Sequence, residues 1–276
     1  MSKGTTKSQG QKHSADKFYT KPEIAQLCLD SIPGGLDQYA VSIEPSAGGG
    51  SFSSLIPGCL ALDLHPEAEG IIEQDWLKYN RDRYADPTQR VLVFGNPPFG
   101  QQNSLAVKFI NHAATFANTV AFVLPLSFKK PSVQNRLQSN LHLAFEMELP
   151  KKAFSLEGED YAVPCVFQVW EYDATKKRDN HVTVKPEGFS FVPRNSNPDF
   201  SVQRVGGRAG FASSEWHEKS LQSHYFVKLD TVLAKDVLEA QIAKFNAAPF
   251  PSRDHSVGPR SISKGDVAEV LNRIIS

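Results

Sequence analysis

The sequence predicts an α/β protein, a doubly wound and mostly parallel sheet followed by a small mixed α+β region. Three observations predict it. Four short apolar runs, 41–43, 59–64, 91–94 and 120–124, are continuous rather than alternating, as in strands buried on both faces. Turns and helical stripes separate these runs, the pattern of right-handed strand–helix–strand crossovers. From Asp173 onward the texture changes to shorter runs, more turn residues and scattered arginines.

Each element has a local reason. Residues 1–15 are mostly Gly, Ser, Thr, Lys and Gln with little to bury, and read as a disordered tail or a nucleic-acid-touching arm. Order should begin near Phe18. Pro22 suits a first helical turn, and Ile24, Leu27, Cys28 and Ile32 follow at helical spacing until Pro33-Gly34-Gly35 stops them. Between the third and fourth apolar runs, Leu105, Phe109, Ile110 and Ala113 form a helical stripe within 104–116. A second helix is expected from Pro131 to about Asn140. The β-like runs 143–149 and 163–172, joined by Lys, Gly and acidic residues, suggest a hairpin at the sheet edge. Beyond a charged linker at 175–180 come strand-like pieces in 181–210. A helix lies within 227–245, carrying Val232, Val237, Leu238 and Ile242. A loop at 249–261 and a terminal helix at 267–275 complete the chain. The expected domains are therefore 16–172 and 173–276.

Composition narrows the function classes. The chain has 276 residues and a formal net charge of zero, so no global basic signal points to nucleic acid, although a neutral protein can carry a basic groove. Cys28, Cys59 and Cys165 are an odd set without CxxC spacing, which argues against a disulfide framework or a cysteine zinc site. No metal is expected. The polar, basic N-terminus is not a secretory signal, and no apolar stretch is long enough to span a bilayer. The expectation is a soluble intracellular protein with no membrane partner.

Chemistry first gathers in the loop Glu44-Pro45-Ser46-Ala47-Gly48-Gly49-Gly50-Ser51-Phe52, directly after a buried strand. Consecutive glycines let a ligand lie against the backbone, and open α/β sheets bind ligands where a strand's carboxyl end enters a loop. No Lys-Ser or Lys-Thr follows, so a phosphate-cradling loop is excluded, and Gly48-x-Gly50 lacks a third glycine for pyrophosphate. The loop instead carries an acid at its head. Glu44 suits an ammonium, Asp63 at the next strand end suits two ribose hydroxyls, and Asp75 suits an adenine amino group with the Trp76 indole against the ring. The three acids match a ligand with an ammonium, a ribose and an adenine but no phosphates. The plainer alternative is a tight turn and helix-capping acids.

The most specific signal is Asn96-Pro97-Pro98-Phe99, at the end of the third apolar run. Two prolines fix the chain and remove two N–H donors while keeping their carbonyls. An exocyclic amino group on a nucleobase is a poor nucleophile because its lone pair is delocalised. Two acceptors, the Asn96 side-chain oxygen and the Pro97 carbonyl, would hold its hydrogens and stabilise charge developing on nitrogen. Phe99 would stack on a base swung out of its strand. With a methyl sulfonium as donor, alignment is the remaining task.

These pieces, with Asp16-Lys17-Phe18-Tyr19-Thr20-Lys21-Pro22 ahead of them, resemble the amino-methyltransferase family, adenine-specific branch, over residues 16–172. The resemblance implies the class I methyltransferase Rossmann-like fold, a seven-stranded sheet with its last strand inserted antiparallel. It implies S-adenosyl-L-methionine as cofactor, Tyr19 and Thr20 over it, and Phe52 closing the pocket. It also implies methylation of the adenine amino group, although related enzymes with this tetrapeptide modify glutamine side chains or RNA adenosine.

In the C-terminal part, Arg204 and Arg208 flank a turn and could contact phosphates, with Tyr225 or Phe226 near bases; a solvated hairpin and a core aromatic pair is the plainer reading. Lys129 and Lys130, just after the fourth apolar run, could also touch a nucleic-acid backbone; a solvated surface is the plainer reading. The expectation is site-specific methylation of adenine in DNA. RNA adenosine is the alternative, and a non-catalytic nucleic-acid-binding module is the third reading.

Overall fold

The computed structural model describes residues 18–81, 86, 88–156, 158–179, 184–250 and 260–275. The expected tail at 1–15, Asp16, Lys17 and most of the loop expected at 249–261 lie outside the described residues. The chain forms two units, 1–124 with 137–178, and 125–136 with 179–276.

In the first unit the chain enters through β1 (Tyr19–Thr20) and α1 (Pro22–Asp30). It continues through β2 (Val41–Glu44), β3 (Leu60–Asp63), β4 (Ile72–Glu73) and β5 (Val91–Gly95). It then runs through α2 (Ser104–Ala113) to β6 (Thr119–Pro125), β7 (Leu141–Glu148), β8 (Phe154–Leu156), β9 (Glu159–Tyr161) and β10 (Cys165–Tyr172). Seven strands form one sheet in the order β4-β3-β2-β5-β6-β10-β7. Strands β4 to β6 pair parallel, while β10 sits between β6 and β7 and pairs antiparallel with β7. This is the Rossmann-like class I methyltransferase fold, with a smaller mixed C-terminal segment. β5 and β6 are buried at every position, which is why their sequences are unbroken apolar runs.

The order reverses at β2: the chain builds outward to β4, then returns to place β5 on the other side of β2. Open α/β sheets bind ligands at such a switch point. The register Ile43↔Val93 brings the carboxyl ends of β2 and β5 side by side, so the glycine loop and the Asn-Pro-Pro-Phe segment leave the sheet together.

Three features differ from the sequence expectation. The glycine loop leads not into an α-helix but into a 3-10 turn at Ser53–Leu55. Ser51, Ser53 and Ser54 are weak helix formers, and Pro57-Gly58 ends the segment. The helix expected from Pro131 to Asn140 stops at Gln134, as α3 (Pro131–Gln134). Its last turn tightens, with Arg136 N–H donating to the Val133 carbonyl, and Gln138 is held instead by the side chain and carbonyl of Asn111, both at 2.8 Å. Strands β1, β8 and β9 have no counterpart in the sequence expectation; they form a separate antiparallel sheet, β1-β8-β9.

The second unit holds a four-stranded antiparallel sheet of β11 (Phe189–Phe191), β12 (Phe200–Gln203), β13 (Ala212–Ser213) and β14 (His224–Leu229), ordered β11-β14-β12-β13. Helices α4 (Lys235–Ala247) and α5 (Lys264–Ile275) pack on it through Ile242, Phe245, Val267 and Leu271 against Phe200, Val202 and Val227. Val232, expected on the helical stripe, precedes α4 and is 95% exposed. Among the described residues, no helix is long and apolar enough to cross a membrane.

Candidate active site

The segments that follow β2, β3, β4 and β5, together with the leader segment and α2, build a cavity of about 300 Å³ in the first unit. From the glycine loop it is lined by Glu44, Pro45, Ala47, Gly48 and Phe52, and from the neighbouring loops by Asp63, Asp75 and Trp76. Asn96, Pro97, Pro98 and Phe99 form the facing wall, and Tyr19 and Thr20 enter from the leader. Gly50 does not line the cavity. It shapes the turn instead: its φ is +84° and its N–H donates to the Ala47 carbonyl at 2.7 Å.

Asn96 carries the unusual feature. Its Oδ1 is buried and accepts no hydrogen bond, while its own backbone carbonyl accepts from Ser46 Oγ at 3.2 Å. Leaving a buried acceptor unpaired costs about 1–3 kcal/mol. Thr20 Oγ1 is also buried without a partner. Both residues line the cavity, which marks it as a place prepared for polar groups of a ligand.

The Asn-Pro-Pro-Phe segment is held by the coil between it and α2. Gly100, Gln102 and Asn103 all adopt left-handed conformations, with φ of +68°, +50° and +62°. The sharp coil lets the Phe99 carbonyl accept from Leu105 and Ala106 N–H at 3.2 and 3.3 Å, so the start of α2 anchors Phe99. Two non-glycine residues in this region signify stored backbone strain, which concentrates at functional sites.

The acids are held as firmly. Glu44 is 2% exposed, and its Oε2 accepts from Ser53 N–H at 2.8 Å. Burial pushes its pKa up to about 8, with the Ser53 hydrogen bonds opposing the shift. Asp63 accepts from Gly48 N–H and His65 N–H, both at 2.8 Å, so it braces the glycine loop while lone pairs remain for a ligand. Asp75 accepts from Leu77 N–H at 3.0 Å at the head of a 3-10 turn, Trp76–Lys78. Trp76 is 2% exposed, its Nε1–H donates to the Phe109 carbonyl at 3.3 Å, and Tyr79 stacks on it with ring centroids 5.6 Å apart. The indole is thus a fixed wall rather than a mobile lid.

Gly95 exposes a close approach. Its φ is +125°, and a Cβ built there would lie 3.1 Å from Glu44 Cγ and Oε1. Gly95→Ala is expected to destabilise the protein by about 1–3 kcal/mol through strain and overpacking, read as a lowered thermal midpoint. An unchanged midpoint would show that Glu44 is not confined by β5.

Some features of the cavity carry no signal in the sequence. Glu67 accepts from the Tyr19 hydroxyl and holds that ring over the loop, where Tyr19 Cε1 lies 3.5 Å from a Cβ built on Gly48. Phe18 packs on Phe99 with centroids 5.5 Å apart, and Leu105 and Phe109 close the floor. Nothing local singles out Glu67, because its partner lies 48 residues away. Phe18 is visible in the leader motif, but its contact with Phe99 is not.

The remaining expected residues lie in the second unit. Lys130 is half-buried and donates to the carbonyl and Oγ of Ser261 at 3.2 and 3.3 Å. Lys129 sits in the adjacent 3-10 turn, Leu126–Lys129. Arg204 and Arg208 are exposed. Phe226 is 4% exposed, so it is a core residue, not a base contact. Among the described residues, no cluster of three or more His, Cys, Asp or Glu is placed to hold a metal ion.

Known proteins offer only distant likenesses. No family profile matches the chain. The Arabidopsis thaliana protein ENHANCED DOWNY MILDEW 2 is 23% identical over 276 residues, covering 95% of this chain, which spans only 19% of that protein's length. The methyltransferase subunit of a type I restriction-modification system from Streptococcus thermophilus superposes with a TM-score of 0.40 at 14% identity, covering 85% of this chain and 54% of that one. A Pyrococcus horikoshii protein described as a candidate RNA methyltransferase gives 0.40 at 18% identity, covering 54% of this chain and 81% of its own. At these scores the superpositions carry no argument about activity, and the fold assignment rests on strand order and direction.

Proposed function

We propose that this chain is an S-adenosyl-L-methionine-dependent methyltransferase acting on the exocyclic amino group of adenine in DNA. The observation that carries the reading is the buried, donorless Oδ1 of Asn96, in one cavity with Glu44, Asp63 and Asp75.

The residues fit the cofactor by their chemistry. Three carboxylates and a glycine turn suit a ligand with an ammonium, a ribose and an adenine. The cavity's 23 lining residues include no Lys or Arg to hold phosphates. Glu44 would hold the ammonium, Asp63 the ribose hydroxyls and Asp75 the adenine amino group, while Tyr19 covers the loop. When bound, S-adenosylmethionine supplies an electrophilic methyl group on a sulfonium.

The protein's own work is positioning and electrostatics. Asn96 Oδ1 and the Pro97 carbonyl accept the two hydrogens of the target amino group, which turns its lone pair toward the glycine loop and stabilises positive charge forming on nitrogen. Phe99 stacks on the extruded base. Phe18, Pro98, Leu105 and Phe109 add an apolar lining. The nitrogen then sheds a proton to solvent; no side-chain base is needed because the methylated amino group is strongly acidic while cationic.

The test is transfer of isotopically labelled methyl groups to duplex DNA, single-stranded DNA and RNA, with digestion to identify the labelled nucleoside. Label on N6 of adenine in DNA is the expected result. Label confined to RNA would move the substrate to RNA, and absence of cofactor binding by calorimetry would overturn the reading altogether.

A further inference from the structure

The second unit carries a cationic surface built from segments far apart in sequence. Residues 204–206 and 260–262 run together: Ile262 N–H donates to the Arg204 carbonyl at 2.9 Å, Gly206 N–H donates to the Arg260 carbonyl at 2.9 Å, and Val205 bridges Ser261. This brings Lys264, the first residue of α5, to the ring that Arg204 also covers. Arg204 Cζ lies 5.7 Å from the Tyr225 centroid, and Lys264 Nζ lies 5.9 Å from it and 5.0 Å from that of Phe191.

The pair is held in place but not neutralised. Arg204 Nε–H donates to the Gln222 carbonyl at 2.8 Å, which leaves the rest of its guanidinium free to face outward. Arg204 and Lys264 are exposed, and neither forms an ion pair among the described residues. Arg208, over Phe211 at 4.0 Å, is in the same condition. A cation in the first turn of α5 works against the helix dipole. Capping does not require it there either, since Ser263 and Asp266 already cap one another. The wider charge agrees: this unit has 15 Lys and Arg against 11 Asp and Glu, the other 15 against 19.

We infer that Arg204 and Lys264, steadied by Tyr225 and Phe191, grip the phosphodiester backbone of duplex DNA. The rings are occupied by the cations and Tyr225 Oη donates to the Ile262 carbonyl, so they orient charge rather than stack on bases. Lys264 replaces Lys130, whose ammonium is engaged by Ser261. The inference rests on the proposed nucleic-acid substrate but not on catalysis.

The test is fluorescence anisotropy of the full chain with labelled duplex DNA of several sequences, titrated with salt. Arg204→Ala and Lys264→Ala should each reduce the steepness of log affinity against log salt by about 1, equally for every sequence. Arg204→Lys should restore most of the slope. Arg273→Ala, paired with Glu269 and about 13 Å further along α5, should leave it unchanged. Cofactor binding by calorimetry and thermal midpoints should match wild type, which separates failure of this surface from failure of the cofactor site or of folding. Unaltered slopes in both Ala variants, a loss confined to one DNA sequence, or an effect on RNA alone would overturn the inference.

Discussion

Asn96→Ala is expected to lower methyl transfer about 10²- to 10³-fold while cofactor affinity changes little. The Oδ1 acts on charge that exists only as the amino nitrogen is alkylated, and losing one preorganised group of that kind carries a cost of this order. Because Oδ1 is buried without a donor before substrate arrives, its removal also relieves an unpaired acceptor worth about 1–3 kcal/mol. The variant should therefore fold at least as well as wild type. This opposition of stability and activity distinguishes a functional group from a structural one. Single-turnover label transfer alongside thermal unfolding checks it; a variant that transfers methyl at the wild-type rate would remove Asn96 from the mechanism.

Glu44→Gln is expected to weaken cofactor binding by about 2–5 kcal/mol, the range for removing one partner of a buried, hydrogen-bonded charge pair. The pH dependence carries the more diagnostic signature. Burial raises the Glu44 pKa from 4.5 to about 8, so near neutrality the free protein holds this carboxyl protonated. An ammonium needs the carboxylate, and binding below pH 8 must therefore release a proton. Affinity should rise with pH toward about 8, then fall as the ligand's own amino group, with a pKa near 7.7–8.0, loses its charge. Glu44→Gln should flatten the acidic limb. Stability runs the other way. A carboxyl whose folded pKa is raised contributes stability that is fully present below its unfolded value of 4.5 and is lost as pH climbs through 8. The Gln variant should accordingly gain stability over wild type at pH 9 but not at pH 4. Binding calorimetry across pH 6–9 reads the first effect and thermal unfolding at pH 4 and pH 9 the second, and an acidic limb that survives in the Gln variant would assign the titration to another group.

Much of the first unit is legible in its amino-acid sequence. The runs ending at Glu44, Asp63 and Gly95 are strands because they are short, continuous and apolar, and each ends in residues that favour turns or fix the chain. The functional reading comes from the same places, since Gly, Pro and Asn act through their own backbone and side chain, whatever their distant neighbours. Helices are less legible. The pattern at 131–140 is helical in spacing, yet hydrogen bonds from Gln138 to Asn111 outweigh the propensity of so short a segment.

What the sequence determined by itself was the set of strands, their buried character and the two loops whose composition suits a sulfonium cofactor and an amino group. Only the tertiary structure decided that β2 and β5 lie side by side, that Tyr19 is held by Glu67, that Phe18 supports Phe99 and that Lys264 shares a ring with Arg204. The reason is physical: backbone conformation and solvent preference are properties of neighbouring residues, whereas these contacts join distant positions that no local periodicity relates. They exist because the whole chain finds one arrangement that buries its apolar strands.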